Sequence, residues 1–252
     1  APGGAQQLVK AGVMDDVDYV FGLHVFPFLP TGSVVTMSGP MTAASDTFNV
    51  EIKGKGSHGS MPDLSIDPIV IGAEIVSNLN NLVSREVNAF DTAVISVGKF
   101  QAGVAPNVIP DSAELAGTVR TLKKETRTML EKRISDIIDG ICTAYNATYT
   151  LDYQNGYDSV RNDEKATAYV LGAAKKEVSK ELLIDGQTMM GSEDFSAYTN
   201  EKPGSFFALG VGLPKDGYKY INHNPKFIID EKALITGSKI FVQLVQDLMI
   251  EQ

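Results

Sequence analysis

The chain carries three histidines, and each sits where its chemistry could be used. His58 lies in "GKGSHGSMP", residues 54–62, among Gly54, Gly56 and Gly59. His24 ends the apolar run "FGLHVFP", and His223 stands between two asparagines in "INHNPKF". A neutral imidazole can hold a divalent cation, accept a proton or donate one to a developing oxyanion. Glu193 and Asp194 in "GSEDFS" add two carboxylates. Zinc and manganese both accept imidazole, and a complete site needs three or four ligands, so two separated histidines fall short of one. Each residue also has a structural alternative. His24 could cap its strand through a backbone hydrogen bond, and His223 could be an exposed turn residue. The two acids could serve a helix start, with Ser192 as N-cap.

"GKGSHG" formally fits G-x-G-x-x-G and follows a strand-like run. A dinucleotide fingerprint requires a helix to begin inside the motif, so that its N-terminus meets the pyrophosphate. Here Met61, Pro62 and a further turn precede the next helical pattern at Asp67, and the following strand ends without an acid for a ribose. Lys55 is followed by glycine rather than Ser or Thr, which excludes a P-loop. The loop is therefore not read as a phosphate cradle.

The remaining composition excludes other classes. A net charge of -9 and no long Lys/Arg cluster argue against nucleic acid as partner. The single cysteine, Cys142, cannot form an internal disulfide and fits a reducing compartment; it falls in an apolar helical pattern, as a buried structural thiol would. No stretch is expected to reach the ~18–20 apolar residues of a membrane span, and no signal peptide is read. A cytoplasmic location is the expectation.

The elements that must position these residues show in the periodicity. "DTFNVEIK" alternates Phe48, Val50 and Ile52. "DPIVIGAEIVSNLNNLVSRE" reads as a helix with Asp67 as N-cap, Pro68 at its first position and an apolar face of Ile69, Ala73, Val76, Leu79, Leu82 and Val83. Strands "TAVISVGKF" and "SAELAGTVRT" follow. A helix spans about 123–145 with Leu130, Ile134, Ile137, Ile141 and Tyr145 in its stripe, and the strand "ATYTLDY" closes the series. The order β-α-β-β-α-β predicts a ferredoxin-like domain. The flanks give a short helix ("AQQLVKAG") and strands "DYVFGLHV" and "GSVVTMSG" on one side. On the other they give "EKATAYVLGAAKKEV", "LLIDG", "DFSAYT", "SFFALGVG" and a long helix from about Glu231. Fold class is thus α/β: a discontinuous mixed-sheet domain, residues 1–41 and 158–252, with a ferredoxin-like domain, 42–157, inserted into it.

Together, "GGAQQLVKAGVMDDVDYVFGLHVFP", "SGPMTAASDTFNVEIKGKGSHGSMP", "APNVIPDSAELAGTVR", "GSEDFSAY" and "INHNPKFIIDEKAL" resemble the aminoacylase and carboxypeptidase-like metal-dependent amidohydrolases. The likeness is to their N-acyl amino acid and hippurate hydrolase branch. It implies a catalytic domain with two divalent ions, zinc or manganese, interrupted by a domain that makes a homodimer. It implies His24 and His223 as metal ligands and His58 as a catalytic donor reaching the active site of the opposite subunit. There His58 would face an oxyanion, with the glycines turning the backbone tightly to bring the ring close. Asn107 and Arg120 would bind the substrate's carbonyl and carboxylate, although Arg120 could equally be a strand-face residue paired with Glu114 or another surface acid. Glu193 and Asp194 would support the metal site. The family's cysteine and histidine ligands and its paired glutamates, one of them the general base, fall upstream of "GGAQQL". The resemblance therefore covers the family's C-terminal two-thirds, and this chain alone is expected to be inactive. Expected substrates are N-acyl amino acids, with dipeptidase or carboxypeptidase activity, or a non-catalytic dimerisation or binding module, as alternatives.

Overall fold

The computed structural model describes residues 3–250 of the chain. It divides into two compact units, Ala43–Ser159 and the flanking residues up to Thr42 and from Val160 onward.

The inner unit is ferredoxin-like. Strands Ala44–Lys53, Ala93–Ala102, Ser112–Thr121 and Thr148–Asn155 form an antiparallel sheet in the spatial order 93–102, 112–121, 44–53, 148–155. Helices Pro68–Arg85 and Lys124–Ala144 share its core, in which Phe48, Val50 and Ile52 are buried on alternate positions. Asp67 caps the first helix by accepting from Ile69 N at 2.9 Å, with Pro68 at the first position. The buried face of this helix differs from the one read in sequence. It runs through Ile71, Gly72, Ile75, Leu79 and Leu82, while Ile69 and Ala73 are exposed. The second helix likewise buries Leu130, Ile134, Ile138 and Cys142, and leaves Tyr145 exposed. Apolar residues on neighbouring i,i+4 rows give competing stripes, and only the sheet selects one. Cys142 is a buried free thiol, and burial pushes its pKa up.

An ionic staple closes this unit. The Arg127 guanidinium, nearly buried, holds Asp46 through Nε at 2.9 Å and through a terminal nitrogen at 2.5 Å, and also binds Asp158 and the Gly156 carbonyl. Asp46 in turn accepts from Gly156 N at 3.0 Å and Tyr153 Oη at 3.1 Å. The start of the first strand is thereby tied to the end of the last.

The outer unit holds a mixed four-stranded sheet ordered 20–26, 204–210, 34–36, 183–185. Val20–Phe26 runs parallel to Gly204–Gly210, which is antiparallel to Val34–Thr36; Leu183–Asp185 is parallel to the latter. Gly204–Gly210 is buried at all seven positions. Here the staple is neutral. The buried Asn162 amide donates to Phe206 O at 2.8 Å and Met37 O at 2.9 Å, and accepts from Phe206 N at 2.8 Å.

Helices Glu164–Glu177 and Lys232–Ile250 complete this core. The second corrects a sequence expectation, because by length and apolarity it could cross a membrane. Its buried face, Ala233, Gly237, Ile240 and Leu244, is part of the unit's packing, and Leu234, Ile235, Val242 and Val245 face outward.

Candidate functional site

In the outer unit, His24 sits near the C-terminal end of an edge strand that runs parallel to its neighbour, where ligands gather in open α/β sheets. The ring is half-buried, with Phe26 and Phe206 at centroid distances of 5.2 and 6.4 Å. Its Nδ1 lies 2.8 Å from Val25 O. A carbonyl only accepts, so Nδ1 carries the hydrogen, and in the neutral ring Nε2 keeps its lone pair. The backbone bond that a capping histidine would make is therefore present, and it leaves the other nitrogen available to a cation.

Glu193 is half-buried nearby. Burial pushes its carboxyl up, and a positive charge on the nearby His24, present only when that ring is protonated, would pull in the opposite direction. Asp194 does something sequence reasoning did not anticipate. Its Oδ2 accepts from Ala5 N at 3.0 Å, in the first turn of helix Gly4–Lys10, 189 residues away. A Cβ at Gly3 would stand 2.3 Å from that carboxylate, so the chain passes Asp194 at a distance only glycine allows. Ser192 is not the cap of the following helix, which spans Ser196–Thr199 behind Phe195.

His223 is exposed and has φ 67°, the left-handed region that few non-glycine residues enter. The preceding Asn222 brings it to His24's strand: its Nδ2 donates to Val25 O at 2.9 Å and lies 3.4 Å from His24 Nδ1. His24, Glu193 and Asn222 thus form one neighbourhood. Among the described residues no group of three or more His, Cys, Asp or Glu could hold a metal ion. The fit to a divalent cation is partial: one imidazole with its second nitrogen fixed, a half-buried acid, and a second imidazole on a fastened turn.

The inner unit presents a separate arrangement. Ser57–His58 pairs antiparallel with Val108–Ile109, and Gly59 N donates to Asn107 O at 2.8 Å. His58 and Asn107, both exposed, therefore share one two-stranded ribbon. None of Gly54, Gly56 and Gly59 has a positive φ, which corrects the reading that they turn the chain. They permit close backbone approach: a Cβ at Gly54 would lie 2.1 Å from Ile66 O, and one at Gly56 2.7 Å from Ile109 O. Ser60 N donates to His58 Nδ1 at 3.2 Å, and Ser60 Oγ is 2.7 Å from the same nitrogen. An amide N–H needs an acceptor, so here Nδ1 holds the lone pair and Nε2 carries the hydrogen. Arg120, half-buried on the long strand opposite Ser45 and Val94, is not in this ribbon. Glu114 pairs with Lys99 at 2.5 Å instead of with Arg120.

Asn222 and Ser60 were missed in sequence. Each adjoins a histidine or lies two residues away, yet nothing in residue type or spacing marks either as an orienting group.

Residues 43–146 match the family described as "Peptidase dimerisation domain". YhaA of Bacillus subtilis (strain 168), named as an amidohydrolase, is 38% identical over 239 residues, covering 95% of this chain and 60% of that protein. Thermostable carboxypeptidase 1 of Saccharolobus solfataricus is 35% identical over 94% of this chain and 60% of its own length. N-acetylcysteine deacetylase of B. subtilis is 36% identical, with 96% and 62% covered. Among solved structures, an aminohydrolase of methicillin-resistant Staphylococcus aureus superposes with TM-score 0.88 at 35% identity, covering 98% of this chain and 63% of that one. B. subtilis YXEP, described as a dinuclear metal binding peptidase from the M20 family, gives 0.73 at 33% identity, with 95% and 60% covered. The chain spans about 60% of the length of the relatives it matches. A ferredoxin-like unit that matches the dimerisation domain, set in a mixed-sheet unit, and identities above 30% along nearly the whole chain point the same way. Residues 43–146 thus match the dimerisation domain of the M20 peptidases, and along nearly its whole length the chain is similar to amidohydrolases and peptidases, one of them described as a member of the M20 family.

Proposed function

We propose that the protein of which this chain is part is a metal-dependent amidohydrolase that cleaves the amide bond of N-acyl amino acids. The carrying observation is the His24 ring, whose Nδ1 is occupied by Val25 O, leaving Nε2 for a ligand's role, with Glu193 near enough to interact with the ring and the Asn222 turn tied to the same carbonyl. In this reading residues 1–41 and 158–252 form the metallohydrolase domain and 42–157 the dimerisation domain. His24 and His223 would hold divalent cations, zinc or manganese, with Glu193 and Asp194 supporting. Bound cations of this kind polarise a carbonyl and acidify water.

The chain's own residues supply the rest. His58 Nε2–H donates to the oxygen on which negative charge develops, in the site of the opposite subunit of a homodimer. Asn107, in the same ribbon, holds the acyl carbonyl. Arg120, whose planar fork suits a carboxylate, orients the amino-acid end. The deacetylase among the relatives supports an acyl amino acid substrate. The carboxypeptidase supports the second reading, a peptidase of the same chemistry.

The deciding experiment extends the chain to its relatives' length and screens N-acyl amino acids and dipeptides with zinc and with manganese. Release of free amino acid from acyl substrates is expected, and the 252-residue chain alone should release none. Cleavage of peptides without acyl amino acids would replace the first reading by the second. Turnover of neither, with dimerisation intact, would leave a binding module.

A further inference from the structure

His58 is exposed, and a neutral imidazole in solvent can carry its hydrogen on either nitrogen and rotate about its own side-chain bonds. The ribbon removes that freedom in two steps. The first acts on the backbone. Ser57–His58 pairs with Val108–Ile109, and Gly59 N donates to Asn107 O. Met61 N donates to His58 O at 2.8 Å, closing a four-residue turn, and Ser57 Oγ donates to Met61 O at 3.0 Å. The second step acts on the ring. Ser60, inside that turn, brings both of its donors to His58 Nδ1, the amide at 3.2 Å and the hydroxyl at 2.7 Å. The amide requires Nδ1 to be an acceptor, so the hydroxyl facing the same lone pair must donate as well. An amide bonded to a side-chain atom two residues earlier is the pattern of an Asx turn, with the imidazole nitrogen where an Asn or Asp oxygen would stand. Both partners lie in one closed turn, so little further chain freedom is lost in joining them.

We propose that Ser60 is a positioning residue: its amide and hydroxyl together hold His58 as the Nε2–H tautomer and set the direction in which that N–H points. The inference rests on the reading above, in which His58 Nε2–H donates to an oxyanion in the opposite subunit's site. A donor of this kind is effective when it is aimed before the charge develops. Ser60 does this without touching substrate. Ser60→Ala keeps the backbone amide and removes the shorter of the two contacts, at an exposed position where no core packing is lost. Ser60→Thr keeps the hydroxyl.

The chain has three histidines, so ring nitrogen–proton correlation spectra of the 252-residue protein resolve each imidazole. Native His58 should show a bare Nδ1, a protonated Nε2 and one ring conformation. In Ser60→Ala its signals should broaden and move toward the average of the two tautomers. The Gly59 and Val108 amide signals, which report the ribbon's pairing, should stay in place. Ser60→Thr should return the native pattern. In a hydrolysis-competent enzyme of full length, Ser60→Ala should lower kcat by about 2–10-fold with KM little changed, the worth of one neutral hydrogen bond. Ser60→Thr should restore kcat. Three results overturn the proposal: a protonated Nδ1 on native His58, a native His58 ring spectrum in Ser60→Ala, or a native kcat for Ser60→Ala in an enzyme that His58→Ala impairs. If His58→Ala leaves kcat unchanged, the oxyanion reading fails, and the ring spectrum of Ser60→Ala alone decides whether Ser60 sets the tautomer.

Discussion

His24 and His58 are the same side chain held in opposite hydrogen-bonding states. Against His24 Nδ1 the fold places a carbonyl, Val25 O; against His58 Nδ1 it places an amide, Ser60 N. The first ring must offer a lone pair at Nε2 and the second a hydrogen. The settings differ as well. His24 is half-buried at the end of a sheet strand and flanked by two phenylalanine rings, while His58 projects from an exposed ribbon. In the proposed reading, His24 as a cation ligand would benefit from its rigid mount, and His58 as a donor to another subunit's site would have to protrude. The units that carry them differ in kind too: Asp46 and Arg127 staple the inner unit with charge, and Asn162 staples the outer one with neutral hydrogen bonds.

The largest effect should come from the ionic staple. Asp46→Ala leaves Arg127 and the Tyr153 hydroxyl without their buried partner, at about 3–5 kcal/mol for breaking a buried pair. Urea unfolding should lose stability in the inner unit while the His24 ring spectrum persists below the transition. Loss of that spectrum together with the inner unit would show that the two mounts are not independent. Next, in a hydrolysis-competent enzyme of full length, His58→Ala should lower kcat by about 10²–10³, or ~2.7–4 kcal/mol, with KM little changed. His58→Gln, which retains an N–H donor, should recover part of that; equal kcat for all three would end the donor role.

A smaller loss, about 1–3 kcal/mol, is expected from Asn162→Ala, which leaves Phe206 N and O without the amide. Because the Asn162 staple contains no ionisable group, the loss should be the same at pH 6 and pH 9, and a pH-dependent loss would contradict that assignment. The smallest effect belongs to Tyr153. Burial first, then the charge of Asp46, raises its phenol well above the usual tyrosine range. Above the unfolded value of about 10, the unfolded chain releases this proton while the folded one keeps it, so stability present below that pH is lost as pH rises. Tyr153→Phe should therefore flatten the alkaline limb of the stability curve, and identical slopes for the two proteins would refute the assignment.

Most of the inner unit was legible in advance because its signals are local. Alternation in "DTFNVEIK", the cap at Asp67 and the two helical runs each report on their own segment, and the strand and helix order follows. The helix faces were not fully legible, since neighbouring apolar rows compete until a sheet chooses between them. Asp194 shows a different gap. An acid ahead of a short helix reads as a local cap, yet its partner is Ala5. Asn222 and Ser60 are ordinary loop residues until the backbone group beside each imidazole is known.

By itself the sequence determined the elements, their order, the inserted unit and the three histidines, because periodicity, capping and residue type act over a few positions. Only the tertiary structure decided which nitrogen each ring offers. That choice depends on one carbonyl or amide within hydrogen-bond reach, and on contacts such as Asn222 to Val25, between residues 197 apart in the chain.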